Sequence, residues 1–129
     1  MEQVFPGAPG LQRKQKVGDG ECVALIQAYT KAGPTWRWRQ GAAVLGNRTL
    51  RAGTAIATFE QGRWPLHHHR KHAAFFLRYD PEGFWVIDQY ANRKYIESRL
   101  IKVKSEADQA KATYSPSNDA AMFYVIETP

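Results

Sequence analysis

The sequence is poor in cysteine and has no long apolar run. Cys22 is the single cysteine among 129 residues, so an intramolecular disulfide is excluded and the fold must be stabilised by its core. No apolar stretch approaches the ~20 residues that span a bilayer. The first residues, 1–17, also lack the apolar segment and cleavage site of a Sec signal peptide. We therefore expect neither a membrane span nor export by the Sec route.

The composition is typical of a folded chain, with 43% apolar and 23% charged residues. A chain of this length buries roughly two-thirds of its unfolded surface and fits one domain, which we place over residues 1–129. The net charge is +6, and it is uneven: residues 1–104 carry 17 basic and 8 acidic side chains, residues 105–129 only 1 and 4. Such a basic body indicates an anionic partner, such as nucleic acid, an anionic membrane face or a cell-wall polymer, unless the charge serves only solubility.

Turn residues and hydrophobic periodicity predict one early helix followed by strands. Residues 1–17 should form an extended basic arm, because Pro6 and Pro9 exclude a helix. Asp19 is a candidate N-cap for a helix over 21–32, which ends before Gly33 and Pro34. A loop over 33–53 follows, and alternating apolar residues then predict five strands, at 54–59, 73–80, 84–90, 95–104 and 121–127. This order favours an α+β fold, with the helix packed on one face of a mainly antiparallel sheet.

Cys22 lies in the first turn of the predicted helix, a position that favours a nucleophilic cysteine. Unpaired N–H groups and the positive end of the helix dipole stabilise a thiolate there, and the same groups can bind an oxyanion. Gly18 and Gly20 would let a substrate backbone approach. Glu21 is a carboxylate next to the thiol and opposes the thiolate unless it points away. The alternative is a cysteine that packs in the core.

His72 and Asp88 are the candidate partners of this cysteine. His72 opens the strand 73–80, and Asp88 interrupts the apolar strand 84–90, where an unpaired carboxylate would be costly. If the two strands form a hairpin with a loop of about four residues, the register places His72 within two steps of Asp88. A carboxylate at that distance can orient the imidazole and stabilise its protonated form. Gln89 is an alternative third residue. Together the three residues predict a Cys–His–acid triad.

At this point the sequence resembles the small papain-like cysteine peptidases of bacterial cell-wall turnover, the NlpC-type and CHAP-type group. The resemblance covers about residues 17–92 and rests on the cysteine helix, three sheet strands and a Trp-x-x-Gly-x-x-Val-x-Gly-Asn stretch: GDGECVALIQAYT (18–30), RAGTAIATF (51–59), KHAAFFLRYD (71–80), FWVIDQY (84–90) and WRQGAAVLGN (38–47). Val23, Asp88 and the Ala-Gly-Thr at 52–54 depart from the usual Ser, Glu and Pro-Gly-Asp.

The resemblance implies a short papain-like fold and hydrolysis of an amide bond in peptidoglycan peptides through a thioester. Cys22 would be the nucleophile, His72 the general base and then acid, and Asp88 the orienting group. The Cys22 N–H would bind the oxyanion, with Gln89 and Glu21 as further candidates for that contact or for the third residue. No cofactor is implied.

Several other residues are candidates for the substrate cleft or for different functions. Three tryptophans and one histidine could line the cleft: Trp36, Trp38, Trp64 and His69. His67, His69 and His72 could instead bind a metal, although no acidic residue lies nearby in sequence, and we expect no metal. The basic arm with the WRWR segment, 36–39, could bind single-stranded nucleic acid. A catalytically inactive papain-like interaction domain is a further alternative.

The absence of a Sec signal requires another route to a wall substrate. We expect a protein made in the bacterial cytoplasm and delivered to the periplasm or wall, either by an injection machine such as type VI secretion or through holin pores. A single small domain without a wall-binding module favours an injected antibacterial effector. Such an effector would have an immunity protein as a second partner. The lack of disulfides agrees with folding in a reducing compartment.

Overall fold

The computed structural model describes residues 1–129 and has an α+β architecture built on one antiparallel sheet. The elements in chain order are α1 (Cys22–Tyr29), β1 (Arg39–Ala43), β2 (Ala55–Thr58), β3 (Ala73–Asp80), β4 (Gly83–Asp88), β5 (Glu97–Lys102), α2 (Glu106–Gln109) and β6 (Phe123–Glu127). The strand order is β1-β6-β2-β3-β4-β5, and every neighbouring pair is antiparallel. The predicted α+β class is confirmed, with six strands instead of five. No helix is long and apolar enough to cross a membrane.

The additional strand is β1, which we expected to lie in a loop. Its sequence, RQGAA, has neither β-branched residues nor alternation of apolar and polar side chains, and it pairs with β6 only at the edge of the sheet. Its register with β6 shifts between Gln40 and Ala43. Gly41 is required there because a Cβ atom would lie 2.8 Å from the Val125 carbonyl oxygen. The pairing is therefore determined by tertiary contacts rather than by local propensity.

Helix α1 packs on one face of the sheet through a core of small and large side chains. Leu25 and Ile26 are fully buried and belong to a cluster of 14 buried residues that also contains Ala55, Ala57 and Ala73. Because alanines line the central strands, the helix axis can approach the sheet closely. Full burial of each leucine or isoleucine contributes about 1.5–3 kcal/mol. The helix ends at Tyr29, three residues earlier than predicted, because Thr30 has an extended backbone.

The opposite face of the sheet is covered by a second cluster of nine buried residues, including Phe76, Phe84 and Phe123. The alternation of the two clusters along β3 and β4 fixes which side chains share a face. Asp80 pairs with Gly83, so the hairpin loop is two residues long, shorter than the predicted four. Phe75 pairs with Ile87 beyond a register shift between Phe76 and Arg78. If this pairing is continued for three residues beyond the Phe75–Ile87 pair, the residues at the start of β3 lie opposite those at the end of β4.

Residues 1–17, predicted as an extended arm, are tied to the body of the protein. Isolated bridges pair Glu2 with Glu127, Val4 with Thr54 and Gln15 with Tyr95. The expectation that proline excludes a helix was wrong at Ala8–Leu11, which forms a 3-10 turn with a proline in its first positions. Proline is compatible with that position because its missing N–H would be unpaired there anyway.

Candidate active site

Cys22 is the first residue of α1, at the edge of an open cleft. Glu21, rather than the predicted Asp19, is the N-cap residue, and the Asp19 carboxylate accepts a hydrogen bond of 2.9 Å from the Glu21 N–H. Gly18 and Gly20 have φ values of 57° and 84°, so the turn before the helix needs residues without a Cβ. The Cys22 N–H has no acceptor within its helix, and the half-buried thiol opens onto the cleft. This arrangement provides a nucleophile beside a free hydrogen-bond donor.

His72 is fixed immediately before β3 by a threonine that no sequence pattern marks as a site residue. The Thr58 hydroxyl accepts a hydrogen bond of 3.0 Å from the His72 N–H and donates one of 2.9 Å to the Arg70 carbonyl. The Thr58 N–H donates in turn to the His72 carbonyl. The imidazole is 6% exposed and lines the same cleft as Cys22. Its position is therefore set by the β2–β3 pairing.

Asp88 holds the imidazole from the end of β4. The His72 Nε2 atom lies 2.6 Å from Asp88 Oδ2 in a buried pair, which leaves Nδ1 as the ring nitrogen available to the thiol. Two arginines contact the same carboxylate: Arg99 Nε donates to Oδ2 at 2.9 Å and Arg93 Nη1 to Oδ1 at 2.6 Å. Asp88 is fully buried, and these contacts satisfy its charge. Neither arginine was singled out from the sequence: Arg93 lies in a polar loop, and the alternation of the predicted strand 95–104 does not show which partner Arg99 meets.

The electrostatics of this cluster favour an ionised carboxylate and a protonated imidazole. Burial lowers the pKa of His72, but the hydrogen bond to Asp88, the neighbouring Cys22 and the charge of Asp88 outweigh it and bring the pKa to about 9. Burial raises the pKa of Asp88, whereas His72, Arg99 and Arg93 lower it, and the pKa ends well below its usual range. The site can therefore hold an imidazolium at neutral pH next to the cysteine.

Gln89 and Glu21 have structural contacts that differ from those of Asp88. The Gln89 amide nitrogen donates to the Val17 and Glu21 carbonyls at 3.0 and 2.8 Å, and its oxygen accepts from the Val17 N–H at 3.0 Å. All of these bonds connect β4 to the segment before α1, so Gln89 anchors the cysteine helix. Glu21 lines the cleft beside Cys22.

The cleft has a volume of about 590 Å³ and is open to solvent. Of the predicted cleft residues, Trp64 lines it, whereas Trp38 was assigned wrongly: it is fully buried, packs edge-to-face on Trp64 at 5.1 Å and donates from its indole to the Gly33 carbonyl. Trp36 is 73% exposed and lines a smaller neighbouring depression that shares Trp64 with the cleft. His69 is exposed and lies outside the cleft, and the neighbouring His68 lines the cleft instead. The sequence could not separate these neighbours because the 3-10 turn at His68–Arg70 sets their directions.

The two alternative sites are not assembled by the fold. No group of three or more His, Cys, Asp or Glu side chains is arranged to hold a metal ion. Two cations of the N-terminal segment make contacts within the chain: Arg13 pairs with Glu97 at 3.1 Å, and Lys16 donates to the Tyr90 and Ala91 carbonyls. These contacts fix the segment against the body, and the Glu97 carboxylate offsets the charge of Arg13.

Comparisons with known proteins show which family and fold the chain resembles. The chain matches the model of the family described as "Domesticated amidase effector 2" over residues 8–126. The "Type VI secretion amidase effector 2 protein" of Salmonella typhi is 41% identical over 133 residues, which cover 98% of this chain and 100% of that relative. The "Domesticated amidase effector 2" of Ixodes scapularis is 36% identical over 115 residues, covering 83% of this chain and 70% of the relative.

A solved structure shows the same fold. It is described as "Type 6 secretion amidase effector 2", and it superposes with a TM-score of 0.87 at 38% sequence identity. The superposition covers 98% of this chain and 94% of the other. The likeness therefore includes the sheet, the cysteine helix and the segments that form the cleft.

Proposed function

Because the chain belongs to the domesticated amidase effector 2 family, we propose that it hydrolyses an amide bond in peptidoglycan peptides, with Cys22, His72 and Asp88 as its catalytic triad. The observation that carries this proposal is the buried chain of contacts that ends at the cleft. Asp88 holds His72 Nε2 at 2.6 Å, and His72 lines the same cleft as the half-buried thiol of Cys22. A nucleophile, an acid–base group and an orienting carboxylate in this order support amide hydrolysis.

In the first half of the reaction, His72 holds the proton of the Cys22 thiol, and the resulting thiolate attacks the carbonyl carbon of the scissile amide. The oxyanion that forms can accept a hydrogen bond from the Cys22 N–H at the helix N-terminus. His72 then transfers its proton to the leaving nitrogen as the C–N bond breaks, which releases the amine and leaves a thioester on Cys22. Since the His72 pKa is about 9, the imidazolium needed for this transfer is the main form at neutral pH.

In the second half, the now neutral His72 accepts a proton from a water molecule that attacks the thioester carbon. The C–S bond breaks, the carboxylic acid product leaves, and the starting state of Cys22 and His72 is restored. Asp88 remains ionised throughout and stabilises the imidazolium each time it forms. Gln89 has no place in the proton transfers, and we assign it to the anchoring of α1.

The charge and shape of the protein support a wall polymer as substrate. Peptidoglycan stem peptides carry carboxylates, and the chain has a net charge of +6. Lys71 brings a positive charge to the cleft, which Asp19 and Glu21 also line, while Trp64 offers an apolar wall for the peptide or sugar. Trp36, exposed in the adjoining depression, would extend this wall.

A type VI secretion effector, as the Salmonella typhi relative is named, enters its target cell by a route that bypasses Sec. We propose the same delivery for this chain, with the periplasm of a competing cell as its destination. A cell that makes such an enzyme would need an immunity protein against its neighbours' copies. The open cleft is the surface that this partner would have to block.

Digestion of purified sacculi tests the proposed reaction. Wild-type protein should release soluble products, and mass spectrometry should show that one water has been added for each amide bond cleaved. Cys22→Ala and His72→Ala should release none, whereas His67→Ala should behave as wild type because His67 is exposed and does not line the cleft. Full release by Cys22→Ala would exclude the proposed mechanism.

A further inference from the structure

The Asp88 carboxylate has more cationic partners than the orientation of one imidazole requires. Oδ2 is shared by the His72 ring and the Arg99 guanidinium, at 2.6 and 2.9 Å. Oδ1 accepts from Arg93 at 2.6 Å. The Arg93 and Arg99 side chains are only 10% and 24% exposed, and neither arginine lines the cleft. Any effect of these arginines on the reaction must therefore pass through Asp88, because they do not reach the substrate.

Both guanidiniums are also fixed at points away from the carboxylate. Arg99 Nη1 donates to Asn118 Oδ1 at 3.1 Å. Arg93 Nη1 donates to the Asp88 and Glu97 carbonyls at 2.9 and 3.1 Å, and its guanidinium lies 4.3 Å from the centre of the Tyr90 ring. Each arginine thus connects Asp88 to a different part of the chain, and the carboxylate cannot rotate without breaking several hydrogen bonds.

Partial burial of two arginines has a desolvation cost, and one would suffice to neutralise a single carboxylate. The arrangement differs from a simple Asp–His pair in its effect on the histidine. A carboxylate whose charge is shared with two guanidiniums attracts the imidazolium less than a free one does. An imidazolium that is attracted less strongly gives up its proton to the leaving amine more readily.

We propose that Arg93 and Arg99 are positioning residues for the amide hydrolysis, which fix the Asp88 carboxylate and limit how strongly it holds the protonated His72 ring. This role rests on the proposed function of Cys22, His72 and Asp88. The charged or titratable groups that face the His72–Asp88 pair come from every neighbouring element: Cys22 from α1, Tyr90 after β4, Arg93 in the following loop, and Glu97 and Arg99 from β5. His68, Lys71, Glu21 and Asp19 lie further along the cleft.

The direction of the change in the His72 pKa follows from the Asp88 Oδ2 atom, which His72 and Arg99 share. Loss of the Arg99 charge removes a repulsion on the imidazolium and leaves more of the Asp88 charge for it, so both changes favour the protonated ring. The His72 pKa should therefore rise in Arg99→Met, by about one unit, the smaller end of the range for one charged neighbour. Arg99→Lys keeps the positive charge and should leave the His72 pKa close to that of the parent protein.

The direct test is an NMR titration of His72 in the Cys22→Ala background, where no catalysis is needed. Failure of this proposal is then distinguishable from failure of the proposed function, which the sacculus digestion reports. Arg51→Met is the matched control, because Arg51 pairs with Glu2 on the surface. A His72 pKa in Arg99→Met that equals the value in Arg51→Met would overturn the proposal, as would equal values in Arg99→Lys and Arg99→Met.

A kinetic measurement adds a readout that a purely structural role would not move. With Cys22 restored, the alkaline limb of the kcat/KM profile should shift upward by about one pH unit in Arg99→Met, together with the His72 pKa. Arg99→Lys should lower kcat several-fold with KM unchanged, because lysine cannot bond Asp88 and Asn118 at once. An unmoved alkaline limb, or a change in KM alone, would show that Arg99 serves only stability.

Discussion

Replacement of Asp88 by asparagine is the sharpest perturbation of the proposed triad, because the carboxylate has donors on both oxygens. His72 and Arg99 donate to Oδ2, and Arg93 donates to Oδ1. An asparagine amide has only one acceptor oxygen. Whichever way the amide is oriented, its NH₂ group replaces a carboxylate oxygen and must face at least one of these donors. The change therefore removes a charge and also creates a donor–donor contact.

Two magnitudes follow from this geometry. Loss of one partner from a buried charged cluster costs about 3–5 kcal/mol of unfolding free energy. Without the Asp88 charge, burial is the main remaining influence on His72, so the His72 pKa should drop from about 9 to near or below the ordinary value of 6.5. The imidazolium that the first step requires would be scarce at pH 7, and kcat should fall by about 10³–10⁴-fold, as for an incorrect tautomer in a triad.

The assay is turnover of a cross-linked muropeptide dimer, read by mass spectrometry, with thermal unfolding in parallel. Asp119→Asn is the matched control, because Asp119 is also fully buried and accepts from Tyr114 and from two backbone N–H groups, yet lies outside the cleft. It should lose stability and keep kcat. A folded Asp88→Asn protein with near-normal turnover would refute the assignment, and if Gln89→Ala were then inactive, the third residue would be Gln89.

Three further predictions concern stability, the helix anchor and the compartment of action. The pKa of His72 is about 9 in the folded protein, against an ordinary value of 6.5. The protonated ring therefore stabilises the fold by about 3 kcal/mol below pH 6.5, and this contribution is lost as the pH rises through 9. The melting temperature should fall over that interval, and equally steep falls in wild type and His72→Gln would contradict this prediction. Gln89→Ala leaves the Val17 N–H unpaired and removes one donor from each of the Val17 and Glu21 carbonyls, so it should lower the melting temperature and kcat, without the shift in the His72 pKa expected for Asp88→Asn. Expression in the bacterial cytoplasm should be harmless, whereas a fused Sec signal should cause lysis that Cys22→Ala abolishes; equal toxicity in both compartments would contradict a wall substrate.

The elements with strong periodicity were predictable, and the amidase class that the family resemblance implied is confirmed by the family match. The hairpin of β3 and β4 has long apolar runs on both sides of a Pro-containing turn, and its register alone placed His72 near Asp88. Cys22 could be located because a run of apolar residues at helical spacing follows a glycine-rich turn. Each of these signals is local in the sequence, so it can be recognised without knowledge of the tertiary structure.

The features that escaped prediction depend on contacts between distant segments. β1 is an edge strand whose pairing comes from β6, more than 80 residues away in sequence. Trp38 is buried because α1, Trp64 and the Gly33 carbonyl close around it, and nothing in its basic surroundings indicates this. Thr58 and Arg99 reach the site from neighbouring strands. Polar residues of this kind carry no periodic signal, since their roles are defined by the partner that the fold supplies.

The central claim is that Cys22 is the nucleophile, and a single cysteine makes a direct measurement clean. Iodoacetamide can alkylate only one thiol in this chain, so labelling and the loss of sacculus digestion can be followed on the same sample at pH 6. We predict that the reaction is much faster than for a free thiol, that it slows in His72→Ala and in the presence of muropeptides, and that activity disappears in step with one label per chain. Protein that is fully alkylated at Cys22 and still digests sacculi would contradict the account.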